Sequence, residues 1–119
     1  MRNRSIASLA ILLICILGIA STPVQDSKIK LLVSVIDNRG NNVEGAIISI
    51  YSSSADYQNN ENRLVKGKTD KKGKFQFKGL QSKSYFIDVR KDNLKNDGQG
   101  VQTGLLSEGK LNKVIVIIK

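Results

Sequence analysis

Histidine and tryptophan are absent from this chain of 119 residues, and cysteine and proline each occur once. The absence of histidine, together with a single cysteine, excludes the usual zinc and copper sites and every Ser-His-Asp or Cys-His nucleophile. Aromatic side chains make up 5% of the residues, and only three of them are tyrosines. The composition therefore predicts no metal, no cofactor and no catalytic centre.

The N-terminal residues have the order of a secretory signal peptide. Arg2 and Arg4 precede an apolar run over residues 6–19, and small residues follow that run. We predict cleavage ahead of Ser21. The predicted organisation is a signal peptide over residues 1–20, a linker over residues 21–27 and one domain over residues 28–119.

Two alternatives concern this N-terminal segment. A retained membrane anchor is disfavoured because the apolar run is shorter than the ~20 residues that cross a bilayer. Lipidation of Cys15 is disfavoured because Ile14 stands where a lipobox has a small residue. The prediction is a secreted, periplasmic or cell-envelope protein without a disulfide, which would associate with a membrane only if its N-terminus were retained or lipidated.

The net charge is +9, from 19 Lys and Arg against 10 Asp and Glu. Such an excess could attract anionic glycans, lipid headgroups or nucleic acid. The lysines are scattered through predicted strands and turns and do not form a run. We therefore interpret them as a solvated surface and predict no nucleic-acid partner.

Short alternating segments separated by Gly, Asn, Asp and Ser predict strands, and no segment has a helical period. The predicted strands are residues 28–37, 43–53, 63–68, 74–78, 84–91, 101–106 and 111–119. Residues 52–62 and 92–100 are predicted to be exposed polar loops. This spacing favours an all-β, seven-stranded Greek-key β-sandwich.

Two segments carry more specific expectations. The stretch KTDKKGKFQFKGL predicts a hairpin that turns at Asp70 and Gly73 and directs Phe75 and Phe77 into the core. The final run VIVII, residues 114–118, is apolar on both faces. We expect a central or well-covered strand there, since an unpaired one would favour aggregation.

The segments VSVIDNRGNNVEGAIISIY, KTDKKGKFQFKGL and YFIDVRK resemble the carboxypeptidase regulatory-like domains. That family consists of transthyretin-like (prealbumin-like) sandwiches, related to immunoglobulin-like folds and common in secreted proteins of Bacteroidetes. The resemblance covers about residues 29–119 and implies scaffold roles for Gly45, Ala46 and Leu80. Enzymatic relatives, the hydroxyisourate hydrolases and intradiol dioxygenases, need histidines that this chain lacks.

The predicted function is an exported, non-enzymatic module for protein binding or scaffolding at the cell envelope. Rigid sandwiches present their loops to partners, and Tyr51, Tyr57 and Arg63 are our candidate contact residues. The alternative is a glycan-binding accessory module in carbohydrate metabolism, with Tyr51 and Tyr57 stacking on sugars. The sequence does not identify the protein or glycan partner.

Two further hypotheses use other polar groups. Calcium could bind to loop oxygens of one of two sets, although neither loop has EF-hand spacing. The two sets are Asp37, Asn38 and Asn41, and Asp92, Asn93, Asn96 and Asp97. An isopeptide bond could join a first-strand lysine to a last-strand asparagine beside an acid. The candidates for that bond are Lys28 or Lys30, Asn112, and Asp88 or Glu44.

Overall fold

Two β-sheets pack face to face in the computed structural model, which describes residues 29–96 and 101–119. The elements are β1 (Ile29–Asp37), β2 (Ile47–Tyr51), α1 (Ser54–Asn59), β3 (Val65–Lys68), β4 (Lys74–Leu80), β5 (Phe86–Lys91), β6 (Leu94–Lys95) and β7 (Leu111–Ile118). The first sheet has the order β4-β1-β7 and the second has the order β3-β2-β5-β6. The fold prediction, an all-β Greek-key sandwich, is confirmed. The predicted signal peptide and linker lie outside the described residues.

Strand β1 shows why this sequence forms a sandwich. Ile29, Leu31, Val33 and Val35 alternate with more exposed residues and are at most 3% exposed. Successive side chains of a strand point to opposite faces, so this period of two places all four in the core. Each buried aliphatic side chain stabilises the fold by about 1.5–3 kcal/mol.

The core lies between the two sheets and is built from alternate residues of the longer strands. The second sheet contributes Ile48 and Ile50 from β2 and Ile87 and Val89 from β5, and all four are fully buried. Phe77 is also buried, and Phe75 packs against the edge of the same cluster with its ring centroid 4.7 Å from that of Phe77. The predicted direction of both phenylalanines is confirmed.

The turn between β3 and β4 has the predicted residues but not the predicted topology. The Gly73 N–H donates to the Asp70 carbonyl, and the Asp70 N–H donates to the Lys74 carbonyl, both at 2.9 Å. Gly73 has a positive φ of 75°, as its place in the turn requires. However, β3 pairs with β2 and β4 pairs with β1, so the hairpin prediction is wrong. Turn residues determine where the chain reverses but not the partner of the next strand.

Strand β7 is an edge strand, which corrects the expectation of a central one. It pairs with β1 in parallel and stands last in its sheet. Val116 and Ile118 are fully buried, but Ile115 is 62% exposed and Ile117 is 47% exposed. Apolar residues on both faces of a strand do not ensure that both faces are covered by other parts of the protein.

Residues 52–62, predicted as a loop, contain helix α1. The Ser53 hydroxyl caps its start by accepting the Asp56 N–H at 3.1 Å, and Asn60 ends it with a positive φ of 54°. Six residues are too few to show a helical period in the sequence. Within the described ranges, no helix is long and apolar enough to cross a membrane.

The C-terminal third differs from the prediction in one further way. Residues 101–106 form no strand, and Gln102 makes a single bridge to Phe86. The sixth strand is instead β6, within the predicted loop 92–100. Asn96, at the end of β6, is 2% exposed and bonds to the backbone of β5.

Candidate functional site

The outward face of the second sheet carries a groove that we call the outer groove. It has a volume of about 350 Å³ and is lined by Ile47, Ser49, Tyr51, Asn60, Arg63, Asp88 and Arg90. Strands β2 and β5 form its floor, because their register places Ser49 opposite Asp88 and Ile47 opposite Arg90. Alternation along each strand turns these side chains away from the core.

Helix α1 closes one end of the outer groove through a cluster of three aromatic rings. The Tyr57 centroid lies 6.1 Å from that of Tyr51, edge to face, and 6.4 Å from that of Phe86. The Tyr51 hydroxyl donates to the Asn60 side-chain oxygen at 3.1 Å. Edge-to-face pairs of this kind stabilise packing by about 0.5–1.5 kcal/mol. The cluster therefore fixes α1 on the sheet and positions Asn60 at the groove.

The placement of Tyr51 corrects one expectation. Tyr51 is 3% exposed, so its ring belongs to the packing and offers no free face for stacking on a sugar. Tyr57 is half-buried against Tyr51 and Phe86. The predicted pair of exposed tyrosines is thus a structural pair, because α1 covers the face of β2 that an open loop would have left bare.

The outer groove is electropositive. Arg90 forms a salt bridge with Asp88 at 3.1 Å, with the Arg90 side chain 54% exposed and the Asp88 side chain 13% exposed. Arg63, also exposed, contributes a second guanidinium group to the lining. Lys66 and Lys68 of β3 lie beside the groove, opposite Ser49 and Ile47 in register. Asp88 is the one carboxylate among the lining residues, so positive charge is in excess there.

Of the three predicted contact residues, Tyr51 and Arg63 line the outer groove and Tyr57 packs behind Tyr51. Sequence reasoning missed Asp88 and Arg90 as groove residues. Their spacing of two on the polar side of strand 84–91 indicated a common face. The pairing of β5 with β2, which joins that face to Tyr51, has no signal in the sequence.

The predicted calcium ligands of the first turn are engaged with the backbone. One Asp37 carboxylate oxygen accepts the N–H groups of Arg39 and Asn41, each at 2.9 Å. These bonds, that from Asn41 foremost, hold the pKa of Asp37 below its ordinary value of 3.8. Within residues 29–96 and 101–119, no group of three His, Cys, Asp or Glu side chains could hold a metal ion.

The groups proposed for an isopeptide bond are separated. Lys30 points outward from β1, whereas Asn112 stands beside the buried Leu31 and donates its amide to the Lys30 carbonyl at 2.9 Å. Asp88 lies on the outward face of the other sheet and pairs with Arg90. The isopeptide hypothesis is therefore wrong for Lys30, and Lys28 lies outside the described residues.

Comparisons with known proteins support the fold alone. No family model matches the sequence, and no match is found among curated proteins. The structure is similar to the Bacillus anthracis TIE protein, with a TM-score of 0.56 and 23% identity, over 76% of this chain and 16% of that one. It is also similar to the group B streptococcus pilus 2b backbone protein, with a TM-score of 0.51 and 17% identity, over 82% of this chain and 42% of that one.

This chain thus corresponds in length to a minor part of either protein, and the shared feature is a β-sandwich of the kind that occurs in them. Hydroxyquinol 1,2-dioxygenase from Pseudomonas putida DLL-E4 also matches, over 93% of this chain and 72% of that one. Its TM-score of 0.42 at 10% identity is too low to support an argument.

Proposed function

We propose that this chain is an exported, non-enzymatic module of the carboxypeptidase regulatory-like type that binds or scaffolds a protein at the cell envelope. The partner binds in the outer groove. The observation that carries this proposal is the pair of exposed guanidinium groups, Arg63 and Arg90, that line one groove with a single carboxylate, Asp88. Arginine is enriched among the residues that dominate protein interfaces.

The chemistry of the groove favours a protein segment that carries a carboxylate. A guanidinium group pairs with a carboxylate through two parallel hydrogen bonds, which give both strength and orientation. Arg63 is exposed and available for such a pair, whereas Arg90 already forms a salt bridge with Asp88. Ile47, at 37% exposure, adds an apolar contact at the groove. An acidic residue followed by an aliphatic one would satisfy both features.

The glycan-binding alternative has less support. Sugar rings stack on exposed aromatic faces, and Tyr51 provides none because it is 3% exposed. The polar groups of Asn60 and Asp88 could still bond to hydroxyl groups. Loss of binding to a glycan array in Tyr57→Ala, with the fold intact, would favour this alternative over protein recognition.

A scaffolding role has one further support. A sandwich of this fold forms part of the longer chain of a pilus backbone protein, where 42% of the chain is covered by the match. Packed sandwiches suit repeated structural use because their cores are closed and their loops and outward faces remain available for contacts. We extend this role to the present chain as a proposal.

Capture from the native host tests the outer groove. The tagged chain, the Arg63→Ala/Arg90→Ala variant and an Arg39→Ala control are compared by crosslinking and mass spectrometry. Arg39 is an exposed arginine in the β1–β2 turn and does not line the groove. We expect the double variant to bind the captured protein at least about tenfold more weakly, because truncation of a dominant interface arginine typically costs that much affinity. The Arg39→Ala control should bind as the parent chain does. Equal capture by all three would overturn the proposal.

A further inference from the structure

The outward face of the first sheet combines lysines with aliphatic residues. Alternate residues of β1, β4 and β7 form it, and we call it the lysine–aliphatic face. It consists of Lys30, Leu32, Ser34, Ile36, Lys74, Gln76, Lys78, Leu111, Lys113, Ile115 and Ile117. Four lysines and five aliphatic residues thus share one face, without an aspartate, a glutamate or an aromatic residue among them.

The aliphatic part of this face is accessible. Ile115 is 62% exposed, Ile117 is 47% exposed and Leu111 is 39% exposed, all on β7. The register places Ile115 beside Ser34 and Ile117 beside Ile36, so the apolar strip continues onto β1. A contiguous apolar patch rimmed by polar groups usually marks an interaction site.

The lysines lie beside the strip, toward β4 and toward the starts of β1 and β7. Lys30 and Lys78 are neighbours in the β1–β4 register, and Lys74 stands opposite Ser34. Lys113 lies on β7 between Leu111 and Ile115. All four lysines are exposed. Asp37, the last residue of β1, and Asp70, before β4, accept backbone N–H groups of their own turns.

We propose that the lysine–aliphatic face binds the surface of an anionic lipid bilayer. Its isoleucines enter the interfacial region and its lysines pair with lipid phosphates. Peripheral binding of this type needs an apolar surface together with basic residues, because each contribution alone is marginal. The aliphatic and cationic groups lie on the same face of one sheet, so both kinds of group can meet a bilayer surface at the same time.

Two other occupants fit this face less well. A second copy of the chain would set lysines against lysines, and like charges across an interface are unfavourable. Nucleic acid would satisfy the lysines, but it would leave Ile115 and Ile117 in water and find no aromatic ring or guanidinium group for its bases. A lipid surface satisfies the charge and the apolar strip together.

This inference goes beyond the proposed function and uses a different surface. The outer groove belongs to the second sheet, whereas the lysine–aliphatic face belongs to the first. The two sites can be occupied at once, which would place a bound protein partner on the side away from the membrane. Failure of one proposal leaves the other untouched.

Cysteine labelling on the full chain tests the inference. Single cysteines are introduced by Ile115→Cys and, as the matched control on the opposite sheet, Ile47→Cys, both in a Cys15→Ser background. Labelling by a water-soluble maleimide is timed with vesicles of phosphatidylcholine alone and with vesicles that also contain phosphatidylglycerol. If the N-terminus inserts into the vesicles, it tethers both variants alike. The difference between the two positions therefore reports which face meets the lipid.

We expect phosphatidylglycerol to slow labelling at position 115 by roughly tenfold, since removal from water protects the thiol there, and to leave position 47 unchanged. High salt should reverse most of the protection. Lys113→Glu should weaken vesicle binding at least about fivefold, because the loss of a single positive charge near an anionic surface already has about that effect and this substitution also adds a negative charge. The matched Lys66→Glu on β3 should bind as the parent chain does.

Three results would overturn the inference. Equal labelling at the two positions in the presence of phosphatidylglycerol would show that the face does not meet the bilayer. Protection at position 115 that rises with protein concentration in the absence of lipid would identify a second copy as the occupant. If double-stranded DNA protects position 115 from labelling as well as phosphatidylglycerol vesicles do, the occupant of the face would be an anionic polymer and not a lipid surface.

Discussion

The ring of Phe75 in β4 lies directly over the backbone of Gly67 in β3. A methyl group built on Gly67 would overlap the ring. The two strands belong to different sheets and are edge strands of those sheets, so this contact closes the sandwich along one side. A glycine is required at position 67 because the ring fills the space that a side chain would occupy, not because of a positive φ.

Gly67→Ala should therefore destabilise the protein by about 1–3 kcal/mol, the usual cost of overpacking. The matched control is Gly104→Ala, where a methyl group would meet no atom within 4 Å. That control should be neutral or slightly stabilising, because alanine restricts the unfolded chain. Urea unfolding of both variants at neutral pH measures the difference. Equal midpoints would show that the Phe75 ring moves aside at little cost.

The Thr69 hydroxyl connects the β3–β4 turn to the start of β2. It accepts the Ala46 N–H at 2.8 Å and donates to the Val43 carbonyl at 2.6 Å, and Thr69 is 4% exposed. Thr69→Val keeps the shape but leaves the buried Ala46 N–H and the part-buried Val43 carbonyl without these bonds. We expect a loss of about 1–3 kcal/mol in the free energy of unfolding. Thr69→Ser, which keeps the hydroxyl, should lose less, and a similar loss in both variants would contradict this role.

Much of the fold is readable from local pattern. The alternation of residues 29–37 and the spacing of Phe75 and Phe77 identify buried faces, because strand side chains alternate with a fixed period. The turn at Asp70 and Gly73 is readable because its backbone geometry demands those residue types. These signals depend on neighbouring residues alone, so one sequence suffices for them.

The remaining features depend on contacts between distant segments. The edge position of β7 follows from which strand pairs with β1, and an apolar pattern does not encode that choice. The outer groove depends in the same way on the β2–β5 register, which brings Asp88 beside Ser49. Arg63 could be selected from the sequence as a candidate contact residue because arginine is common at interfaces. The burial of Tyr51 could not be predicted, because it depends on helix α1, which is too short to show a helical pattern.

The side chain of Asn96 makes hydrogen bonds to the backbone of β5 of the kind that a neighbouring strand would make. Its side-chain oxygen accepts the Val89 N–H at 2.8 Å and its amide donates to the Ile87 carbonyl at 2.9 Å, at 2% exposure. Asn96→Ala should cost about 2 kcal/mol or more, since it leaves two buried backbone groups without these partners. Asn93→Ala, a nearby exposed position, should change the free energy of unfolding by less than about 0.5 kcal/mol. Thermal melts of the two variants compare them directly, and equal melting temperatures would refute the bridging role.

The hydrogen bonds of the Asp37 and Asp70 carboxylates lead us to expect that the free energy of unfolding decreases in acid. The Asp70 carboxylate accepts the N–H groups of Lys74 at 2.9 Å and Lys72 at 2.8 Å. These bonds, that from Lys74 foremost, hold the pKa of Asp70 below its ordinary value of 3.8. The pKa of Asp37 is lowered by the same kind of bond, chiefly from the Asn41 N–H.

A lowered pKa in the folded state means that the unfolded chain binds protons more readily. The stabilisation is thus complete above the unfolded pKa, near the ordinary value of 3.8, and is lost as the pH falls through the folded values. Urea midpoints of the parent chain should therefore fall below that pH. Asp37→Asn/Asp70→Asn should be less stable than the parent at neutral pH, and this difference should shrink as the pH is lowered. The control is Glu108→Gln in the exposed turn before β7, which should follow the parent curve. A double variant whose difference from the parent stays constant down to strong acid would show that these turns do not respond to the charge of their aspartates.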